Sequence, residues 1–253
     1  MGKSVQRHAR WSLRLRRREY AGRMALIVLW DIDHTLIDNA GVSKEIYAAA
    51  YRSVIGRHSV QAPVTEGRTD RLIMRDMFRR NGVVAPAWSA IEAALTDAGA
   101  QRLDALRKRG TILPGAQEAL KAAAAQSGWV SSVLTGNIAA NARVKLAAFD
   151  LDSLVDLRLG AYGADADDRP HLVDVARSRI EAQNCAPAGT PVVLVGDTPR
   201  DVEAALASGA HIIAVATGVD SPAALTEAGA TVVLPDLADT DHVLRLLEDI
   251  ERT

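Results

Sequence analysis

Two aspartates one residue apart, Asp31 and Asp33, end an apolar run, Leu26-Ile27-Val28-Leu29-Trp30. In extended backbone their carboxylates project from one face and Ile32 points the other way. Carboxylates this close repel each other, and one gains a proton unless a cation holds both. Two later polar stretches also follow apolar runs: Thr135-Gly136-Asn137 after Trp129–Leu134, and Gly196-Asp197-Thr198-Pro199-Arg200-Asp201 after Val192–Val195. An oxygen-rich set with several carboxylates suits a hard cation, Mg²⁺ above all. The hydroxyl of Thr135 and the amide of Asn137 suit phosphate oxygens, so the combined set points to phosphoryl transfer. No Ser-His-Asp or zinc arrangement competes: His34, His171 and His211 lack ligand spacing and read as structural. Each motif also has a plainer reading. Asp-x-Asp alone is as readily an acidic loop, and Asp197 or Asp201 can serve as a helix N-cap, Asp201 for a helix starting at Val202.

The elements that must position these residues follow from periodicity. An apolar run of four to eight residues before a polar break predicts a buried strand. Strands buried on both faces belong to a parallel sheet covered by helices, whose ligands bind at the strands' carboxyl ends. Strands are expected at 26–30, 129–134, 192–195, 211–215 and 231–234, with a weaker one at 156–160. Helices alternate with them, including one opened by Arg169-Pro170, where an early proline costs least. This alternation predicts an α/β fold, a doubly wound Rossmann-like parallel sheet. Right-handed crossovers would line the polar strand ends along one edge. Between residues 40 and 112 only helical patterns appear, at about 43–56, 69–80, 87–96 and 98–109. The expected organisation is a core of residues 24–40 and 112–253 with an inserted all-helical cap at 41–111. In the cap, Gly67-Arg68-Thr69-Asp70 forms a polar turn. Arg68 is a candidate specificity residue there, against the plainer reading of a helix start capped by Thr69.

At 253 residues, 48% of them hydrophobic, the chain has material for one large core with an insert. The single cysteine, Cys185, excludes an internal disulfide and a Cys-rich metal site, and fits a reducing, cytoplasmic setting. No apolar run reaches the length of a membrane span. Residues 1–23 hold eight Lys/Arg and one acid, so the formal −1 of the whole chain leaves −8 for residues 24–253. The acidic body gives no general case for nucleic-acid binding. The basic stretch is expected to be a disordered extension, or sequence upstream of a start at Met24, with a nucleic-acid or membrane-surface arm as the sharper alternative.

Asp31-Ile32-Asp33-His34-Thr35, Thr135-Gly136-Asn137 and Gly196-Asp197-Thr198-Pro199-Arg200-Asp201 resemble three of the four motifs of the haloacid dehalogenase superfamily. The helical block resembles the cap of its phosphoglycolate-phosphatase-like branch, and the likeness covers about residues 24–235. It implies that Asp31 attacks phosphorus to form an aspartyl-phosphate, splitting one displacement into two. Asp33 would protonate the leaving oxygen and then take a proton from water. The side chains of Asp31 and Asp197 and the carbonyl of Asp33 would hold Mg²⁺, with Asp201 supporting that shell. Thr135, with Gly136, Asn137 and the loop amides, would bind the phosphoryl oxygens. The fourth motif supplies a cation, usually a lysine before a proline, but here that position reads Arg169-Pro170. Lys145, on the preceding helix, is the other candidate and is slightly favoured, because a compact ammonium suits a point contact.

The expected function is therefore Mg²⁺-dependent hydrolysis of a small phosphomonoester, a small phosphorylated metabolite of which phosphoglycolate is the first candidate. Hydrolytic dehalogenation is disfavoured, because enzymes of that kind usually lack the second aspartate, and Asp33 is present. A phosphomutase keeps both aspartates and stays open, as does a non-catalytic binding module that has kept the fold.

Overall fold

The computed structural model describes residues 25–65 and 67–253. The basic stretch at 1–23 lies outside the described residues. Five strands form one parallel sheet: β1 (Ile27–Trp30), β4 (Val130–Val133), β5 (Val192–Gly196), β6 (His211–Val215) and β7 (Val233–Leu234), in the order β4-β1-β5-β6-β7. β1 lies inside the sheet between β4 and β5, where its wholly buried, apolar residues can be covered on both faces.

Alternation along β1 sorts its side chains between two cores. Leu26, Val28 and Trp30 pack with Ala119, Leu120, Ala142, Leu146 and Leu247. These come from α5 (Ala116–Ala125), α6 (Ala139–Ala147) and α10 (Thr240–Glu251). Ile27 and Leu29 face the other way, onto Leu172, Ala176, Val202 and Leu225, supplied by α7 (Arg169–Ala182), α8 (Pro199–Ala207) and α9 (Pro222–Glu227). Helices thus cover both faces, as the alternating pattern predicts.

Four helices intervene in the chain between two short antiparallel strands, β2 (Ile37–Asp38) and β3 (Thr111–Ile112). They are α1 (Val42–Ile55), α2 (Asp70–Arg80), α3 (Trp88–Ala100) and α4 (Leu103–Arg109). Their shared core includes Ile46, Tyr51, Met74, Phe78 and Leu95, and it takes in Ile138 from just before α6. Tyr51 and Phe78 stack with ring centroids 5.2 Å apart. Contact with the α/β layer is close. A Cβ on Gly136 would lie 2.2 Å from the Arg68 carbonyl oxygen, and one on Gly163 would lie 2.9 Å from Asp70 N. Only hydrogen at these two positions lets the segments touch.

The structure departs from the sequence expectations in three places, the first being that the helix break expected at residue 97 falls inside α3, with α4 starting only at Leu103. Residues 156–160 are not a strand: the Asp156 carboxylate accepts from Arg158 N at 3.0 Å, which turns the chain, and only Ala161 bridges to Leu134. The helix expected from Val202 begins at Pro199, because Thr198 is its N-cap and Asp201 closes a capping box from the third helical position. Proline at the first position fits this earlier start. In the polar turn of the insert Thr69 caps α2, accepting from Leu72 N at 3.3 Å, which does not compete with a role for Arg68.

Candidate active site

The carboxyl ends of β1, β4 and β5 bring Asp31, Thr135 and Asp197 to one cavity of about 70 Å³. Its walls include Asp33, His34, Gly136, Asn137, Arg169 and Thr198 from the α/β layer. Asn39 comes from the loop between β2 and α1, and Ser43, Tyr47, Gly67 and Arg68 come from the helical insert. This volume takes a phosphoryl group and a few further atoms, far below the several hundred Å³ of sites for larger ligands. Gly67, Arg68, Arg169 and Thr198 also line an adjoining, more open groove.

Asp31 continues the sheet ladder, its N–H donating to Val195 O at 2.9 Å, so its carboxylate is fixed at the strand end. Asp33 follows in a tight turn closed by hydrogen bonds from Leu36 N and Ile37 N to Ile32 O. His34, in that turn, takes a positive φ of 60°, a strained conformation for a residue with a side chain. The sequence marked His34 as structural, and it lies in the cavity wall.

Asp31, Asp197 and Asp201 each offer an oxygen within 4.8 Å of the others, all three side chains buried. Glycines make the room. A Cβ on Gly218 would lie 1.9 Å from Asp197 Oδ2, and one on Gly196 2.4 Å from Asp201 Cγ. Thr35 donates its hydroxyl to Asp197 Oδ1 at 3.1 Å. Burial, and then repulsion from Asp201 and Asp31, pushes the Asp197 carboxyl well above the usual range. Burial likewise pushes Asp31 up to about 6, against the pull of Arg169. Three buried carboxylates converging at one point, two of them raised by that burial, are an all-oxygen donor set that a hard divalent cation satisfies, so the residues present fit Mg²⁺.

The two candidate cations divide the two aspartates. Lys145, 1% exposed, places Nζ 2.5 Å from Asp33 Oδ2 and 2.6 Å from Asn137 Oδ1. Asn137 Nδ2 donates to the same Asp33 oxygen at 2.8 Å, and Asn39 Nδ2 to the other at 2.7 Å. Burial works to raise the Asp33 carboxyl, but Lys145 and the two amides outweigh it and hold it below the usual carboxylate range. Arg169 is the residue at the nucleophile candidate: Nη2 lies 3.0 Å from Asp31 Oδ2 and 2.6 Å from Asp201 Oδ1. Its Nη1 donates to Gly67 O at 3.2 Å. Nη2 is thus ion-paired with both carboxylates, while the buried Nε has no hydrogen-bond acceptor among the described residues.

Asn137, expected at phosphate oxygens, spends its side-chain amide on Asp33, Lys145 and Thr135. Thr135 Oγ1 accepts from Asn137 N at 3.3 Å and from Asn137 Nδ2 at 2.8 Å. With both lone pairs engaged, its hydroxyl proton is left for an acceptor in the cavity. Arg68 reaches the cavity wall and pairs with Asp76 at 3.5 Å. Sequence reasoning missed Asn39, Ser43 and Tyr47. Ser43 and Tyr47 share one face of α1 by their four-residue spacing, a signal indistinguishable in sequence from core packing.

No helix among the described residues is long and apolar enough to cross a membrane. No curated protein matches the chain. Solved structures do. A hydrolase from Pseudomonas syringae superposes with a TM-score of 0.61 at 22% identity, covering 90% of this chain and 99% of its own. A protein described as a predicted phosphoglycolate phosphatase from Haemophilus somnus gives 0.62 at 15% identity, covering 88% and 99%. A candidate beta-phosphoglucomutase from Bacteroides vulgatus gives 0.59 at 18% identity, covering 91% and 92%. At such identities the likeness is one of fold. The sequence pattern of haloacid dehalogenase-like hydrolases matches residues 28–206, most of the α/β layer with the insert, and the chain belongs to that family.

Proposed function

We propose that the protein is a Mg²⁺-dependent phosphatase acting on a compact phosphomonoester through an aspartyl-phosphate on Asp31. The observation that carries this reading is the lining of the cavity. A buried carboxylate at a strand end shares the cavity with the unused proton of Thr135 and with the guanidinium of Arg169 that pairs with it, a set complementary to a phosphoryl group.

Asp31 would attack phosphorus as the bond to the leaving oxygen breaks, and Asp33 would pass a proton to that oxygen. Asp33 would then draw a proton from the water that cleaves the aspartyl-phosphate. Thr135 and Arg169 would hold the phosphoryl oxygens. We assign the clamp to Arg169 rather than Lys145, because Arg169 touches Asp31 while Lys145 is engaged with Asp33 and Asn137. Asp31, Asp197 and the carbonyl of Asp33 would hold Mg²⁺, with Asp201 in support. When bound, the ion supplies charge neutralisation for the transferring group. Arg68 and Ser43 would face the leaving group. Phosphoglycolate is the first candidate among small phosphomonoesters.

The test is release of inorganic phosphate from a panel of small phosphomonoesters, with and without Mg²⁺, for the wild type and Asp31→Asn. Mg²⁺-dependent turnover lost in the variant is the expected result. Turnover that survives Asp31→Asn refutes the mechanism, and transfer of phosphate to a second hydroxyl without release would make the protein a phosphomutase.

A further inference from the structure

Asp201 has both carboxylate oxygens engaged. Oδ2 accepts from Thr198 N at 3.1 Å and from Thr198 Oγ1 at 2.6 Å, closing the capping box of α8. Oδ1 lies 2.6 Å from Arg169 Nη2, and the same nitrogen lies 3.0 Å from Asp31 Oδ2. One guanidinium nitrogen thus stands between two of the three carboxylates that converge within 4.8 Å. Lys145 gives no help there, being bonded to Asp33 and Asn137. Arg169 is therefore the cation that offsets the crowded charge of Asp31, Asp197 and Asp201.

We infer that Arg169 and the divalent ion compete for these carboxylates, so that Arg169 is the protein's own counter-ion in the metal-free state and lowers its affinity for the metal. The inference rests on the Mg²⁺ reading given above. Its physical basis is twofold: the ion must bind carboxylates that the guanidinium already contacts, and a positive charge in direct contact with the ligand set repels an incoming cation. Arginine suits the role better than lysine. Its fork contacts Asp31 and Asp201 through one nitrogen while Nη1 donates to Gly67 O at 3.2 Å, which a single ammonium on a shorter stem does not reproduce.

The test measures binding and stability rather than turnover. Mn²⁺, counted by the loss of its free-ion electron paramagnetic resonance signal, and Mg²⁺, by competition with it, are titrated into the wild type, Arg169→Gln and Arg169→Lys. We expect Arg169→Gln to bind at least about tenfold more tightly, equivalent to about 1.4 kcal/mol, with Arg169→Lys between the two. In EDTA both variants should melt at lower temperature than the wild type, by about 5 °C for Arg169→Gln, and saturating Mg²⁺ should raise their melting temperatures by more than it raises that of the wild type. Equal or weaker metal binding by both variants overturns the competition while leaving the metal reading intact. Absence of binding in all three proteins overturns both. Should Arg169→Gln fail to fold, Arg169→Lys carries the same comparison with the same signs.

Discussion

Asp70 provides the sharpest test of how the helical insert is held to the site. It is the first residue of α2 and is 1% exposed. Its carboxylate accepts from Tyr47 Oη at 2.6 Å and from Ile138 N at 2.8 Å, while its own N–H donates to Gly136 O at 2.7 Å. It therefore ties α1 and α2 to the loop that carries Thr135 and Asn137. Burial is the largest influence on its carboxyl and raises it from 3.8 to about 6, against the hydrogen bonds from Tyr47 and Ile138. A carboxyl raised in the folded state binds more protons there than in the unfolded chain. Its stabilising contribution is thus complete below 3.8 and is lost as pH rises through 6. Two pH units at 1.36 kcal/mol each make the change about 3 kcal/mol. Asn at this position keeps one acceptor for Ile138 N and does not titrate. Urea denaturation of the wild type and Asp70→Asn should therefore show a stability difference that moves about 3 kcal/mol in favour of the variant between pH 4 and pH 8. Asp31 and Asp197, also raised, contribute to both proteins and drop out of the difference. A difference that stays constant across this range would refute the reasoning.

Two further substitutions probe the other polar groups around the cavity. Lys145→Met leaves Asp33 and Asn137 without their buried ammonium and should cost about 3 kcal/mol of stability; a loss below about 1 kcal/mol in urea denaturation would show that the pair contributes little. Ser43 Oγ is buried with no hydrogen-bond partner, so Ser43→Ala should stabilise the ligand-free protein by about 1 kcal/mol, and a destabilised variant would mean that the hydroxyl is satisfied in solution.

The sheet was legible because its signal is local. Runs such as Val192–Val195 are uniformly apolar and end in polar, small residues, and a strand buried on both faces leaves that mark and no other. Residues 156–160 carried a similar apolar alternation, but an Asp156 side chain bonded to its own downstream backbone outbids the ladder, and this depends on a rotamer that the sequence does not display. The start of α8 was misplaced for a related reason: the Thr198-Pro199 pair and Asp201 are all cap-type residues, and only the geometry separates the cap from its partner at the third position. At the site, the residues at strand ends could be named from sequence. Of those supplied by the insert, the turn residue Arg68 could be named, but Ser43 and Tyr47 could not, because they occupy the same helical stripe as the buried Ile46 and Ala50. The split of Lys145 and Arg169 between Asp33 and Asp31 was also out of reach, since it follows from the packing of α6 and α7 on opposite sides of β1.

That split has a consequence for the proposed chemistry. The environments of the two aspartates push them in opposite directions, Asp31 up to about 6 and Asp33 down. Near pH 7 Asp31 is mostly ionised, as a nucleophile must be, but it loses that form as pH falls through 6. Asp33 rests as a carboxylate held by Lys145, Asn137 and Asn39, the form that takes a proton from water in the second half-reaction, with its basicity reduced by those partners. For the first half-reaction it needs a proton that the free protein does not hold there. A phosphomonoester, whose second ionisation lies near 6, brings one when it binds as the monoanion. Phosphorylation of Asp31 should then have opposing requirements, an ionised Asp31 and a protonated substrate, and kcat/KM should pass through a maximum near pH 6. Divalent metal bound at Asp31 would lower its carboxyl and should shift the acidic limb of that profile downward. A profile whose acidic limb does not move between sub-saturating and saturating Mg²⁺ would separate the titration of Asp31 from the metal site and would place the ion elsewhere.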